Sequence, residues 1–351
     1  MPAPSPDAPP RRRLPATLLG ALLALALVGV LAVVALERPD GDAPASAPTT
    51  RTTATETPPP VPEPPVSTID RTTLTVPEEA RIAEHTFWGR AGESYLVTLD
   101  VVSEKPADSE GWAMYLGVLV SCSPDAGAAG DYRGGTQNLR TGEQTTYRNQ
   151  LLLSPSADGA ITCDVKLSAP YDDVASAGTA FEVEASWRAD PVDGSAAEAP
   201  TDDLPRTLAP GTEDTILSTS VDLTAEDDDA LRGLTTLHLT ACTVVNGSRE
   251  EGQSWCREGA LDEAGSTATL TARLELLAAD GTVCEELAAT ATDPDHIDLL
   301  RHHRLLSADL EAIVPAEHCG TTARLRVDLR NDGPAPLVVH RANSSALLVG
   351  S

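Results

Sequence analysis

Residues 181–188 read Phe-Glu-Val-Glu-Ala-Ser-Trp-Arg, a strict alternation of apolar and polar side chains. Successive side chains of a β-strand point to opposite faces, so Phe181, Val183 and Trp187 share one face of this segment. Residues 161–168 alternate in the same way. This pattern predicts strands that are buried on one face only.

Further runs of this kind surround these two and form a first strand-rich unit. They are residues 71–76, 85–88, 94–102, 114–121 and 145–153. About seven short strands separated by turn signals predict a β-sandwich, immunoglobulin-like or jelly-roll-like. We place this domain at residues 69–190.

A second strand-rich unit follows a linker at residues 191–210, and we place it at residues 211–351 as a second β-sandwich. Its runs are residues 215–223, 234–245, 268–276, 306–314, 323–330, 336–340 and 346–349. Asp293-Pro294 offers an N-cap followed by proline at the first helical position, which predicts one short helix inside this unit. The fold class expected for residues 69–351 is therefore all-β.

The N-terminal segment carries a membrane signal. Arg11-Arg12-Arg13 precede residues 14–36, which contain no charged side chain. As a helix this run spans roughly 35 Å, enough to cross the hydrocarbon core. The basic flank predicts that residues 1–13 are cytoplasmic and that the chain beyond residue 36 is extracytoplasmic, with the lipid bilayer as partner of residues 14–36. Residues 37–68 are rich in Pro and Thr and are expected to form a disordered linker or stalk.

A cleavable signal peptide is the alternative to this anchor. Such a signal has an apolar core of about 7–15 residues, which is shorter than the run observed here. The best cleavage motif, Ala45-Ser46-Ala47, lies well beyond the apolar run and is followed by Pro48. Cleavage would produce a soluble secreted binding protein in place of a single-pass membrane protein.

Six cysteines follow the apolar segment, which favours disulfides in an oxidising compartment. Pairing of sequence neighbours within each domain predicts three bonds, Cys122–Cys163, Cys242–Cys256 and Cys284–Cys319. Cys122 and Cys163 continue the apolar series of their strands, so both are expected to point inward, and their bond is expected to cross the core of the first sandwich. Zinc is the alternative, but no C-x-x-C or closely spaced Cys/His pair is present in the sequence.

The charge balance limits the partners. The formal charge is −28, and residues 1–36 contribute +2, so the rest of the chain carries −30. A polyanion of this size repels nucleic acid and acidic lipid, so we predict no nucleic-acid partner.

The sequence lacks the familiar catalytic motifs. It contains no G-x-S-x-G elbow, Walker loop, H-E-x-x-H or S-x-x-K motif. The alternative to a non-enzymatic protein is a hydrolase of envelope polymers, with Asp172 and Asp173 in a loop as acid and base. We predict no cofactor.

The histidines and acids between residues 293 and 303 are residue types that bind metal ions. On a helix, His296 and His303 would share a face two turns apart, too far for one ion. With His302, they are expected to form a solvated polar segment, and no metal site is predicted.

The strongest candidate for a binding surface is the segment 123–144, expected to be a long Gly- and Ala-rich loop. Connections of this length are uncommon in compact domains and are often functional. Four of its side chains can stack on or hydrogen-bond a sugar or a partner protein: Tyr132, Arg133, Asn138 and Arg140. We therefore expect a non-enzymatic binding or structural module at a bacterial cell envelope, with an envelope protein or a glycan as ligand.

Overall fold

The computed structural model describes most of the chain after residue 65. The described residues are 66–76, 78–104, 115–124, 131–139, 144–169, 178–192, 194–223, 230–241, 245–249, 253–256, 265–298 and 302–350. The predicted transmembrane helix and Pro/Thr-rich linker lie outside these ranges. Within them, no helix has the length and apolar character needed to cross a membrane.

The described chain folds into strands. They are β1 (Val66–Thr75), β2 (Glu78–Gly89), β3 (Ser94–Ser103), β4 (Tyr115–Pro124), β5 (Asp131–Asn138), β6 (Thr145–Leu153), β7 (Gly159–Ala169), β8 (Ala180–Val192), β9 (Ala196–Glu198), β10 (Arg206–Leu208), β11 (Glu213–Asp222), β12 (Ala230–Ala241), β13 (Val245–Arg249), β14 (Gln253–Cys256), β15 (Ser266–Leu277), β16 (Val283–Ala291), β17 (Asp295–Ile297), β18 (Arg304–Ile313), β19 (Thr322–Asn331) and β20 (Leu337–Gly350).

Four antiparallel sheets organise these strands, and the predicted all-β class is confirmed. Sheet A has the order β1-β8-β3-β6, and sheet B the order β2-β7-β4-β5. Sheet C has the order β10-β20-β12-β18 with β9 on β20, and sheet D the order β11-β19-β15-β16 with β17 on β15. Strands β13 and β14 pair with each other.

Sandwich 1 consists of sheets A and B around one apolar core. The alternation at residues 181–188 lies in β8, where Phe181, Val183 and Trp187 are buried and the polar residues between them are exposed. These side chains pack with Phe87 of β2 and Val165 of β7 in one cluster. The alternating sequence thus places the apolar side chains of β8 in the core of the predicted sandwich.

Sandwich 2 consists of sheets C and D, with a core of Leu, Val, Ile and Ala side chains. Strands β9 and β10 lie within the predicted linker, residues 191–210, and both pair with β20. The predicted domain boundaries stay predictions.

The two sandwiches contact each other through the outer faces of sheets A and C. A small apolar cluster joins Leu96 of β3 to Leu234 of β12 and to Leu347 and Val349 of β20. We call this contact region the seam. Through this contact the sheets are layered in the order B, A, C, D, and edge strand β5 of sheet B also reaches sandwich 2.

Two predicted disulfides are present, Cys122–Cys163 and Cys284–Cys319. The inward orientation of Cys122 and Cys163 is confirmed, since both are buried. The expectation that their bond crosses the core is wrong. The two residues are directly opposite each other on β4 and β7, with Cα atoms 4.0 Å apart, so the bond joins neighbouring strands of sheet B. The predicted Cys242–Cys256 pair involves Cys242, which lies outside the described residues.

Two local predictions are also corrected. Residues 295–297 form β17, which pairs with the start of β15, so the helix predicted after Asp293-Pro294 is wrong: a neighbouring strand supplies hydrogen bonds that the cap signal did not anticipate. The segment 123–144 is not one long loop, because it contains β5 at the edge of sheet B. Gly134 and Gly135 removed the apolar alternation that marks strands.

Candidate functional site

The four predicted binding residues do not form one surface. Tyr132 is 71% exposed on β5. Arg133 follows it but forms a partly buried ion pair with Glu198 of β9. Asn138 is buried, and its side-chain oxygen accepts a hydrogen bond from the His303 backbone N–H at 2.6 Å. Arg140 lies outside the described residues, as do Asp172 and Asp173 of the hydrolase alternative.

Arg133 and Asn138 instead connect the two sandwiches. Glu198 and His303 both belong to the sandwich 2 side of the seam, while β5 belongs to sandwich 1. Ion pairs and buried amide hydrogen bonds of this kind occupy the polar atoms that a ligand would need. Of the predicted residues that the structure describes, Tyr132 therefore remains as the candidate ligand contact.

A second exposed aromatic side chain lies on the same sheet. Phe87 and Trp88 are neighbours on β2 and point to opposite faces, so Phe87 is buried in the core and Trp88 is 46% exposed. One row of directly paired residues crosses sheet B from β5 to β2: Tyr132, Ser121, Asp164 and Glu84. Trp88 lies four residues after Glu84 on β2. Both aromatics thus belong to the outer face of sheet B, about 19 Å apart by strand spacing and rise.

Polar groups fill the space between these two aromatics. Thr86 and Thr162 form a hydroxyl pair 3.0 Å apart at the Trp88 end. Arg81 bridges the carboxylates of Glu84 and Asp164 near the middle. We call this surface the binding face; it comprises Arg81, Glu84, Thr86, Trp88, Leu119, Ser121, Tyr132, Thr162, Asp164 and Lys166.

The opposite end of the molecule has a different character. The outer face of sheet D carries arginines that pair with carboxylates, including Arg324 with the buried Glu275 at 2.6 Å and Arg326 with Asp328 at 3.1 Å. Within the described part of the chain, this face exposes no aromatic side chain. The charged side chains of this face pair with one another, so it is the weaker candidate for a ligand-binding surface.

The histidines differ from the sequence expectation. His296 is on β17 and partly exposed, whereas His302 and His303 lie in the seam and not in a solvated segment. His303 contacts His238 of β12, a partner 65 residues away that sequence spacing could not suggest. Among the residues that the structure describes, no group of three His, Cys, Asp or Glu side chains has the geometry to hold a metal ion.

Comparison with known proteins identifies no sequence relative. No family model matches the chain, and no curated protein matches it. Solved structures with some likeness include the tandem CBM22-1-CBM22-2 domain of Paenibacillus barcinonensis Xyn10C, with 11% identity, a TM-score of 0.21, and coverage of 80% of this chain and 97% of that chain.

Two further structures have similar scores. The infectious bursal disease virus Gx strain structure matches with 13% identity, a TM-score of 0.28, and coverage of 83% and 72% of the two chains. The insecticidal delta-endotoxin Cry8Ea1 of Bacillus thuringiensis matches with 9% identity, a TM-score of 0.22, and coverage of 75% and 54%. These scores carry no argument about ligand or assembly, and the fold assignment rests on the strand pairing described above.

Proposed function

We propose that the chain is a non-enzymatic binding protein, anchored in the cell membrane by residues 14–36, whose binding face takes an extended neutral glycan outside the cell. The observation that carries this proposal is the placement of Trp88 and Tyr132 on one solvent-facing sheet surface with hydrogen-bonding groups between them. The location rests on the basic flank, the uncharged run and the bonded cysteines.

The aromatic pair favours a sugar ligand. A sugar ring has an apolar C–H face and a rim of hydroxyl groups, and Trp and Tyr supply an apolar ring with a polar tip. Binding sites combine such apolar contacts with a few polar groups that fix orientation. The threonine hydroxyls and the Asp164 carboxylate provide those groups on the binding face.

The charge of the binding face favours a neutral ligand. The chain as a whole carries −28, yet this surface has two basic side chains, Arg81 and Lys166, and two acidic ones, Glu84 and Asp164. Arg81 already pairs with both carboxylates. A balanced surface neither attracts nor repels an uncharged polymer, whereas a strongly charged ligand would be selected by a net field.

The distance between the aromatics favours an extended ligand. Single sugars are held in concave pockets that bury most of their surface. Here the two residues lie about 19 Å apart along the backbone of an open sheet, by strand spacing and rise. A chain of several sugar units can contact both rings at once, which adds their contributions without a second binding event.

Truncation of either ring tests this proposal. We expect Trp88→Ala and Tyr132→Ala each to weaken binding of the full chain to a neutral cell-wall polysaccharide about tenfold or more, equal to about 1.4 kcal/mol. Ile313→Ala is the matched control, because Ile313 is 74% exposed on β18 of sandwich 2. Binding is measured by co-sedimentation with purified cell-wall polysaccharide and by an array of neutral oligosaccharides.

Two results would reject the glycan proposal. One is failure of the unaltered chain to bind any neutral polysaccharide in either assay. The other is equal affinity of the two aromatic variants and the Ile313→Ala control.

The anchor is tested separately by N-terminal sequencing of the mature protein, since a start near Pro48 would mean cleavage and secretion.

A further inference from the structure

Four of the seven histidines meet at the seam. His238 and His340 lie opposite each other on β12 and β20, and His302 and His303 immediately precede β18. The ring centroids are 4.9 Å apart for His238–His340, 5.2 Å for His238–His303 and 4.9 Å for His302–His303. We call these four residues the histidine cluster.

Hydrogen bonds fix the protons of two of these rings. His238 Nδ1 lies 3.0 Å from the Ala342 carbonyl oxygen, so Nδ1 carries the hydrogen and Nε2 of the neutral ring is an acceptor. His303 Nδ1, 3.0 Å from that Nε2, is then the donor. The pair can take up one further proton on His303 Nε2 and keep this bond. A second proton places N–H groups on both sides of the contact and breaks the bond.

The backbone of His303 forms hydrogen bonds across the seam with Asn138 of sandwich 1. Its N–H donates to Asn138 Oδ1 at 2.6 Å, and its carbonyl accepts from the Asn138 N–H at 3.1 Å. Two residues on, the Leu305 N–H donates to Gln137 Oε1 at 3.1 Å. These bonds connect β5 of sandwich 1 to the start of β18 in sandwich 2, so displacement of His303 would break the two bonds that its backbone makes with Asn138.

The surroundings oppose charge on these rings. Burial, together with the neighbouring imidazoles, lowers the pKa of His238 to about 4 and that of His340 to about 3. Burial also lowers the pKa of His302, and lowers that of His303 well below its ordinary value.

The charged groups on the neighbouring elements are already paired. Arg133 of β5 pairs with Glu198 and Arg304 of β18 with Asp295. Arg148 of β6 bridges Asp100 and Asp309, at 2.6 Å and 2.5 Å. Arg341 of β20 pairs with Asp202. A protonated histidine of the cluster would therefore lie near carboxylates that already pair with arginines.

We propose that the histidine cluster makes the seam acid-sensitive, so that the two sandwiches separate at low pH while each keeps its own core. Above about pH 6.5 the rings are neutral in the closed and the open protein, and pH has no effect on closure. As the pH falls below that value, the exposed rings bind protons and the buried rings do not, which favours the open state. The shift toward the open state reaches its limit once the pH is below the pKa values of the rings in the closed protein.

Hydrogen exchange measured on the full chain tests this inference. With a pKa of about 4 when closed and about 6.5 when exposed, His238 alone is expected to raise the opening equilibrium about 70-fold between about pH 7.5 and pH 4.5. After correction for intrinsic exchange, the amides of Asn138, His303 and Leu305 should lose protection by at least that factor. Amides of β7 and β15, in the two cores, should stay protected.

A double variant, His238→Asn with His340→Gln, isolates the cause. The asparagine amide can replace Nδ1 toward Ala342, the glutamine amide can replace Nε2 toward Thr240, and neither titrates in this range. Its acid response should fall at least tenfold, whereas His296→Gln, outside the cluster, should respond like the unaltered chain. Simultaneous loss of protection in the cores, or no loss at the seam amides of the unaltered chain, would overturn the proposal even if the double variant failed to fold.

Discussion

Replacing Trp187 by alanine is expected to lower the free energy of unfolding of sandwich 1 by about 3–5 kcal/mol. The Trp187 side chain is 1% exposed and is among the largest fully buried side chains. Its ring stacks on His85 with centroids 4.4 Å apart and contacts Phe87 at 6.3 Å. Truncation leaves a cavity that the surrounding strands fill only in part, so both transfer energy and packing are lost.

The matched control is Trp88→Ala on the same sandwich. Trp88 is 46% exposed on the opposite face of its sheet, so its removal should change the free energy of unfolding by no more than about 0.5 kcal/mol. Denaturant unfolding at neutral pH measures both. Equal losses in the two variants would contradict the assignment of one tryptophan to the core and the other to the binding face.

Removing the Cys122–Cys163 bond is the second change with a large expected effect. The bond closes a loop of 41 residues, which in the chain-entropy account stabilises the fold by about 4 kcal/mol. Both residues are buried, so the double variant Cys122→Ala with Cys163→Ala also loses packed sulfur atoms from the core. We expect denaturant unfolding to show a loss of about 4 kcal/mol or more.

Cys284–Cys319 provides the control, because its sequence separation is 35 and the entropy terms of the two bonds differ by only about 0.1 kcal/mol. Both of its residues are exposed. A mild reductant under native conditions should therefore reduce Cys284–Cys319 first, as mapped by alkylation and mass spectrometry. Earlier reduction of the Cys122–Cys163 bond would refute its burial in sheet B.

The strand pattern was predictable because side-chain alternation depends only on the local pleat of the backbone. Residues 181–188 and 161–168 needed no knowledge of their neighbours to be recognised. The same local signal gave the inward orientation of Cys122 and Cys163, but not which strands lie side by side. Two inward residues can face each other across a core or along one sheet, and strand order decides between them.

The candidate site was less predictable, for two different reasons. Adjacent Phe87 and Trp88 must point to opposite faces of a strand, so the sequence did contain a signal that one aromatic is exposed. The histidine cluster carried no such signal. His238 and His340 are brought together by the pairing of β12 with β20, and Asn138 reaches His303 through the contact between two sandwiches. Contacts that depend on strand order produce no periodic pattern in the sequence.

The position of β20 determines the order in which the two halves can mature. Residues 337–350 lie between β12 and the short strands β9 and β10, so sheet C has a gap at its centre until this segment is synthesised. The described strands of sheets A and B all lie before residue 193. On a ribosome, which releases the amino end first, the half with the binding face can assemble early. Until β20 is synthesised, β12 lacks its partner on that side, and an unpaired strand edge of this kind favours aggregation.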